Sequence, residues 1–173
     1  MPMFEPRSNA SALIRKAVLL LAGAVMLLPV VASATAPSRP ASMGIISTPL
    51  PAIRAAENEQ QLRILMNVDR VAADRRGLRM HKKLIRLARK HSARMASAGS
   101  IYHNPNLGRN LRRLSWSIAG ENVGVGGSIE SLHDAFMDSP AHRENVMRPR
   151  FRRVGVGVLS RDGRLWVTVV FLG

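Results

Sequence analysis

The sequence predicts an α+β domain, and three observations carry that reading. Leu84, Leu87, Ala88, His91 and Met95 recur at helical spacing opposite a face of lysines and arginines. Near the C-terminus Val154, Val156 and Val158 alternate with Gly155 and Gly157. Leu165, Val167, Val169 and Phe171 alternate on the return, across an Asp162-Gly163 turn, as a β-hairpin requires. Helices fill the first half and strands close the chain, an order that argues for a sandwich of segregated layers.

Composition sets the outer limits. A chain of 173 residues is long enough for one domain with a real core. Its formal net charge is +15, but 46% hydrophobic against 21% charged residues excludes a wholly disordered basic protein. There is no cysteine, which removes disulfides, thiolate zinc sites, a catalytic thiol and a lipidated cysteine anchor from consideration.

The N-terminus reads as an export signal. Arg7, Arg15 and Lys16 precede an apolar run from Ala17 to Val31, shorter than the roughly 20 residues that span a bilayer. Ala32-Ser33-Ala34 is a small-x-small cleavage site, so residues 1–34 are expected to be a secretory signal peptide; an uncleaved anchor is the alternative. The expected location is secreted or periplasmic. Export makes nucleic acid an unexpected partner for the positive charge, and an anionic envelope surface, lipid headgroup or wall polymer a better one. Residues 35–52, with Pro37, Pro40, Pro49 and Pro51, read as a linker, which leaves 53–173 for the folded domain.

Within that domain, Leu62, Leu65, Met66, Asp69, Val71 and Ala72 mark the pattern of an amphipathic helix stopped by Gly77, with Leu65, Met66, Val68 and Ala72 expected to face the core. Leu78-Arg79-Met80 is long enough for a single edge pairing. Lys82 to Gly99 is the clearest helix, with His91 expected as a packed, hydrogen-bonded core residue. His103 stands just before a turn signal, Asn104-Pro105, and Arg109, Arg112 and Arg113 follow in a basic loop. Trp116 and Ile118 are expected to re-enter the core. The glycines Gly120, Gly124, Gly126 and Gly127 predict a loop rich in turns around a buried acid, Glu121. Ser128 is a good N-cap for a helix from Ile129 to Met137, with Leu132, Ala135 and Phe136 as its apolar stripe and His133 left at the surface. Ser139 and Pro140 have the residue types of an N-cap and N1, which places His142 in the first turn of a further helix. Glycines at alternate positions of the first hairpin strand leave one face bare, open to close approach by another element.

These residues, in order, resemble the CAP superfamily of cysteine-rich secretory, antigen 5 and plant pathogenesis-related proteins, in a short bacterial form. The resemblance rests on Leu65 to Arg75 with Gly77-Leu78, Leu84 to Gly99, and His103. It continues through Gly120-Glu121-Asn122, Ser139-Pro140-Ala141-His142-Arg143 with Asn145, Val154-Gly155-Val156-Gly157 and Trp166 to Phe171. It implies a three-layer α-β-α sandwich around a central antiparallel sheet, with a cleft lined by two histidines and acidic residues. His103 and His142 match the paired histidines, and Glu121 the glutamate of the Gly-Glu-Asn segment. Many members place a second glutamate ahead of the later histidine; here that place falls near Ser139, with Asp138 beside it.

Two imidazoles and a carboxylate suit zinc or another borderline divalent ion, or a small ligand. The alternative is a buried acid hydrogen-bonded to backbone amides, with no ligand at all. No HExxH helix, GxSxG elbow or cysteine nucleophile makes an independent case for catalysis, and the family carries over no general activity. Three functions stay open: an exported binding protein with this cleft and a basic surface, a metal-dependent hydrolase of peptide or wall polymer, and a non-specific polyanion binder.

Overall fold

A computed structural model describes residues 50–173; the expected signal peptide and most of the expected linker lie outside the described residues. In chain order the elements are α1 (Leu50–Ala72), β1 (Arg79–Met80), α2 (Lys82–Ala98), α3 (Leu107–Leu111) and β2 (Ala119–Gly126). Then come α4 (Ile129–Asp138), α5 (Pro140–Met147), β3 (Arg153–Arg161) and β4 (Arg164–Leu172). The strands form one sheet in the order β1-β3-β4-β2. The three long strands are antiparallel, whereas β1 pairs parallel to β3 through Arg79 and Met80 alone, so the sheet is mixed at that edge.

Strand alternation divides the side chains between two layers. Val154, Val156, Val158, Val167, Val169 and Phe171 point to one face and pack with Leu62, Met66, Ile129, Phe136 and Val146 of α1, α4 and α5. On the other face, Val170 and Leu172 meet Leu84 and Ala88 of α2 and Leu111 of α3, while Val123 and Trp166 meet Met95 and Ala96. The result is an α+β, three-layer arrangement. The bare strand face expected at Gly155 and Gly157 is where α2 lies: a Cβ on Gly155 would be 2.1 Å from the Leu84 carbonyl carbon, and one on Gly157 2.2 Å from Arg89 N.

Local signals account for several boundaries. Gly99 ends α2 in the left-handed conformation (φ 65°), and the N–H of Ser100 reaches back to the Met95 carbonyl. Asp162 (φ 52°) and Gly163 (φ 70°) make the hairpin turn, where both central residues must be left-handed. Ser128 caps α4 by accepting from Ser131 N at 3.1 Å. α1 begins at Leu50, so the last three residues of the expected linker are helical, and Pro51 falls in the first turn, where its missing N–H breaks no helical bond.

Other expectations need correction. The first helix ends at Ala72, five residues before Gly77, and the left-handed residue that follows is Asp74 (φ 56°). Ala72 is exposed and Val68 only half-buried; Asp69 and Arg70 are buried instead. Arg70 is inside because backbone carbonyls solvate it: Nε donates to Arg76 O at 2.8 Å, Nη1 to Val146 O at 2.6 Å and Arg148 O at 3.1 Å, and Nη2 to Phe151 O at 3.2 Å. His133 is 1% exposed and lies 3.0 Å from Asp69, because the buried stripe of α4 is wide: Ile129, Leu132, His133, Phe136 and Met137, with Ala135 outside it. Trp116 stays at the surface, 41% exposed, its indole N–H donating to Leu111 O at the end of α3. α3 itself occupies part of the expected basic loop. The supposed loop at Gly120 is the strand β2, and its glycines serve close packing: a Cβ on Gly124 would crowd Leu132 and Phe136, and one on Gly126 would crowd Leu132.

Candidate functional site

The Gly120-Glu121-Asn122 segment of β2 gives each residue a separate task. A Cβ at Gly120 would sit 2.7 Å from Asn145 Oδ1 and 2.9 Å from the Phe151 ring, so only glycine lets α5 dock here. Asn122 is fully buried; its Nδ2 donates to the His142 carbonyl at 3.0 Å, and its Oδ1 accepts from Asn145 Nδ2 at 2.9 Å. Asn145 also donates to Glu121 O at 3.3 Å. These bonds hold the helix that carries His142 against an edge strand. Ser139 marks the start of α5 and Pro140 occupies its first turn, but the Ser139 hydroxyl makes no capping hydrogen bond.

Glu121 points the other way, as alternation along β2 requires: Gly120, Gly124 and Gly126 face α4 and α5, while Ala119, Val123 and Val125 join the clusters under α2 and α3. The Glu121 side chain is only 4% exposed. Its Oε1 accepts from Asn104 N at 2.8 Å and lies 3.0 Å from His103 Nδ1; its Oε2 is buried with no hydrogen-bond partner. The Asn104 side chain folds the loop locally, its Oδ1 accepting from Asn106 N at 3.0 Å. A carboxylate so placed fixes the imidazole of His103, turning Nε2 away from Glu121 and leaving the ring 64% exposed.

His142 completes the group from the opposite face of β2. It is half-buried, with its ring 5.3 Å from that of Phe136. Burial, and then the charge of His103, hold its pKa below the ordinary histidine value, which favours the neutral imidazole at neutral pH. The expected trio is therefore distributed around the outer edge of β2: His103 and Glu121 are in contact, and His142 senses His103 electrostatically. Among the described residues no group of three or more His, Asp or Glu side chains is arranged to hold a metal ion. A smaller donor set would draw on His103 Nε2 and His142, with Glu121 in contact with His103 as the orienting carboxylate. Asp138, next to the place of a second glutamate, is exposed at the end of α4.

His91 lies in the core as expected, 1% exposed, with Nε2 2.7 Å from the Tyr102 carbonyl. The residues whose roles sequence reasoning missed are Asn104, Asn122 and Asn145, the amides that position the ionisable groups. Asn104 is legible as an Asx turn before Pro105, but Asn122 and Asn145 are neighbours only once β2 and α5 dock.

Comparison with known proteins follows the same outline. The family model described as "CAP: Cysteine-rich secretory protein family" matches residues 64–171. The Bacillus subtilis protein YkwD is 30% identical over 122 residues, 66% of this chain and 47% of that protein. An extracellular protein of Bacillus anthracis containing an SCP domain superposes with a TM-score of 0.64 at 26% identity, covering 73% of this chain and 45% of that one. An outer surface protein of Borrelia burgdorferi shares the fold at 17% identity, with a TM-score of 0.60 over 67% of this chain and 92% of that one. The chain thus spans about half the length of the two Bacillus relatives. By the span of the family match, this chain belongs to the CAP, or cysteine-rich secretory protein, family.

Proposed function

We propose that this chain is an exported binding protein, and that His103 and His142 take a borderline divalent cation such as zinc, or a small ligand with equivalent acceptor chemistry. The observation that carries the reading is the Glu121 carboxylate: it is buried, it orients His103, and Oε2 has no hydrogen-bond partner. A buried, half-satisfied carboxylate is costly to keep for stability alone. Behind a metal-ligating imidazole it has a use, because it fixes the tautomer and raises ligand basicity. Two imidazoles leave the remaining coordination positions to water or to a ligand group. The strongly basic surface is proposed to meet an anionic envelope or partner surface, in keeping with an extracellular Bacillus anthracis relative.

The test is zinc titration by calorimetry at neutral and mildly acidic pH, with the His103→Ala/His142→Ala variant alongside. Expected is binding that acid weakens, that the double variant abolishes, and that Glu121→Gln reduces by roughly 10–100-fold, the usual effect of an orienting partner. Wild-type protein that binds no zinc, or a double variant that binds as well as wild type, sinks the metal reading.

A further inference from the structure

On the solvent side of α2 a shallow groove of about 500 Å³ runs past Lys90, Ala93, Arg94, Ser97, Ala98 and Tyr102. We propose that this groove binds an acidic saccharide, a segment of a carboxylated sugar polymer, with a sugar ring stacked on Tyr102 and its carboxylate held by Lys90 and Arg94. The inference narrows the anionic-partner part of the function proposed above and rests on it, but not on the site at His103, Glu121 and His142.

Three observations converge on that ligand. First, Tyr102 is 38% exposed yet held in place: the buried His91 meets its ring edge-on at 5.1 Å and 90° and contacts its carbonyl at 2.7 Å. A pre-positioned aromatic face loses little freedom when a ligand packs on it. Second, Lys90 and Arg94 are one helical turn apart on the same face, and the groove lining contains no carboxylate, so their charges are available for an anion. Arg94 offers a planar fork that matches a carboxylate. Third, the remaining lining residues, Ala93, Ser97 and Ala98, are small, which keeps the floor open between the cations and the ring; Ser97 adds a hydroxyl suited to sugar hydroxyls. A saccharide acid has apolar ring faces, hydroxyls and a charge together. A bilayer is met by several protruding apolar side chains, and here Ile101 is the exposed aliphatic residue next to the groove in the chain, among cations and small residues.

The test measures binding of fluorescein-labelled tetragalacturonate to the purified protein by anisotropy, with neutral maltotetraose and phosphatidylglycerol vesicles as separate arms. Expected is saccharide binding that needs the carboxylates and falls roughly tenfold in Lys90→Ala/Arg94→Ala, the scale of two charge-assisted contacts. Tyr102→Ala should lose a similar factor, while Tyr102→Phe, which keeps the ring and the fold, stays near wild type. Lys82→Ala/Lys83→Ala removes the same charge at the far end of α2, at least about 10 Å along the helix from Lys90, and should also stay near wild type. Equal losses in the two double variants would mean diffuse attraction and overturn the proposal while leaving a basic surface in play. Vesicle binding without saccharide binding would overturn it in favour of a membrane. No binding in either anionic arm would overturn both this inference and the anionic-partner reading on which it rests.

Discussion

Gly157→Ala is the perturbation whose cost follows most directly from the fold. The added methyl would lie 2.2 Å from Arg89 N and 2.3 Å from the Ala88 carbonyl carbon, where ordinary contact begins near 3.4 Å. Both atoms belong to the backbone of α2, so no rotamer change relieves the clash; the helix must retreat by more than an ångström. Retreat would open gaps around Leu84, Ala88 and Met95, all with no exposed surface. Overpacking that moves backbone costs about 1–3 kcal/mol and sometimes more, and the rigid neighbour places this substitution at or above the top of that range. A drop of ~3 kcal/mol lowers the melting temperature of a domain this size by roughly 10 °C or more. Urea unfolding followed by circular dichroism measures it. Gly127→Ala is the control, because a methyl there has nothing within 4 Å. If Gly157→Ala unfolds within about 0.5 kcal/mol of wild type, the range of an inconsequential surface change, α2 does not lie on the bare face of β3 and the layer argument fails.

Further substitutions probe the groups that position the site. Arg70→Met removes four hydrogen bonds to carbonyls at 76, 146, 148 and 151, two of them at the end of α5, and should destabilise by about 3–5 kcal/mol on chemical denaturation. A double-mutant cycle between Asp69→Asn and His133→Gln should return a coupling of about 1 kcal/mol or more, whereas a surface histidine would give nearly none. His81 and His142 give a pH prediction. Burial, then Arg153, Lys83 and Arg86, lower the pKa of His81, and burial, then His103, lower that of His142. Each folded pKa is below the unfolded value near 6.5, so below that pH the unfolded chain binds more protons and stability falls as pH drops. Unfolding curves between pH 7 and pH 5 should therefore be less pH-dependent in His81→Gln than in wild type; an unchanged or steeper dependence contradicts the sign.

The sequence was most readable where a single local rule decides the outcome. Gly99, Ser128 and the Asp162-Gly163 turn act through their own backbone or a neighbour within a few residues, and the structure places all three as expected. It was least readable where a polar group is buried by a distant partner. His133 looked like a surface residue because the polar contact that accompanies it in the core, 3.0 Å from Asp69, comes from another helix. Arg70 had no sequence signal at all, since three of its four carbonyl partners, at 146, 148 and 151, are more than seventy residues away in the chain. The glycines of β2 were misread for a related reason: Gly120, Gly124 and Gly126 are there because Asn145, Leu132 and Phe136 approach them, and that approach exists only after the layers assemble.

The division of labour along β2 also explains how His103 and His142, which come from opposite layers, are both held beside one edge strand. An edge strand has one side without a strand partner, and a strand places consecutive side chains on opposite faces. Adjacent residues can therefore grip two different layers around that free edge. Glu121 grips the loop after α2 through Asn104 N and His103, and Asn122 grips α5 through the carbonyl of His142. A shift of β2 by one residue would exchange those faces and separate both histidines from their supports. The eight-residue pairing with β4, from Ala119 opposite Leu172 to Gly126 opposite Leu165, is what prevents that shift. The placement of the two histidines is thus specified by strand register, and under the proposed metal-binding function a change that weakens the β2–β4 pairing should impair zinc binding even when it touches neither histidine.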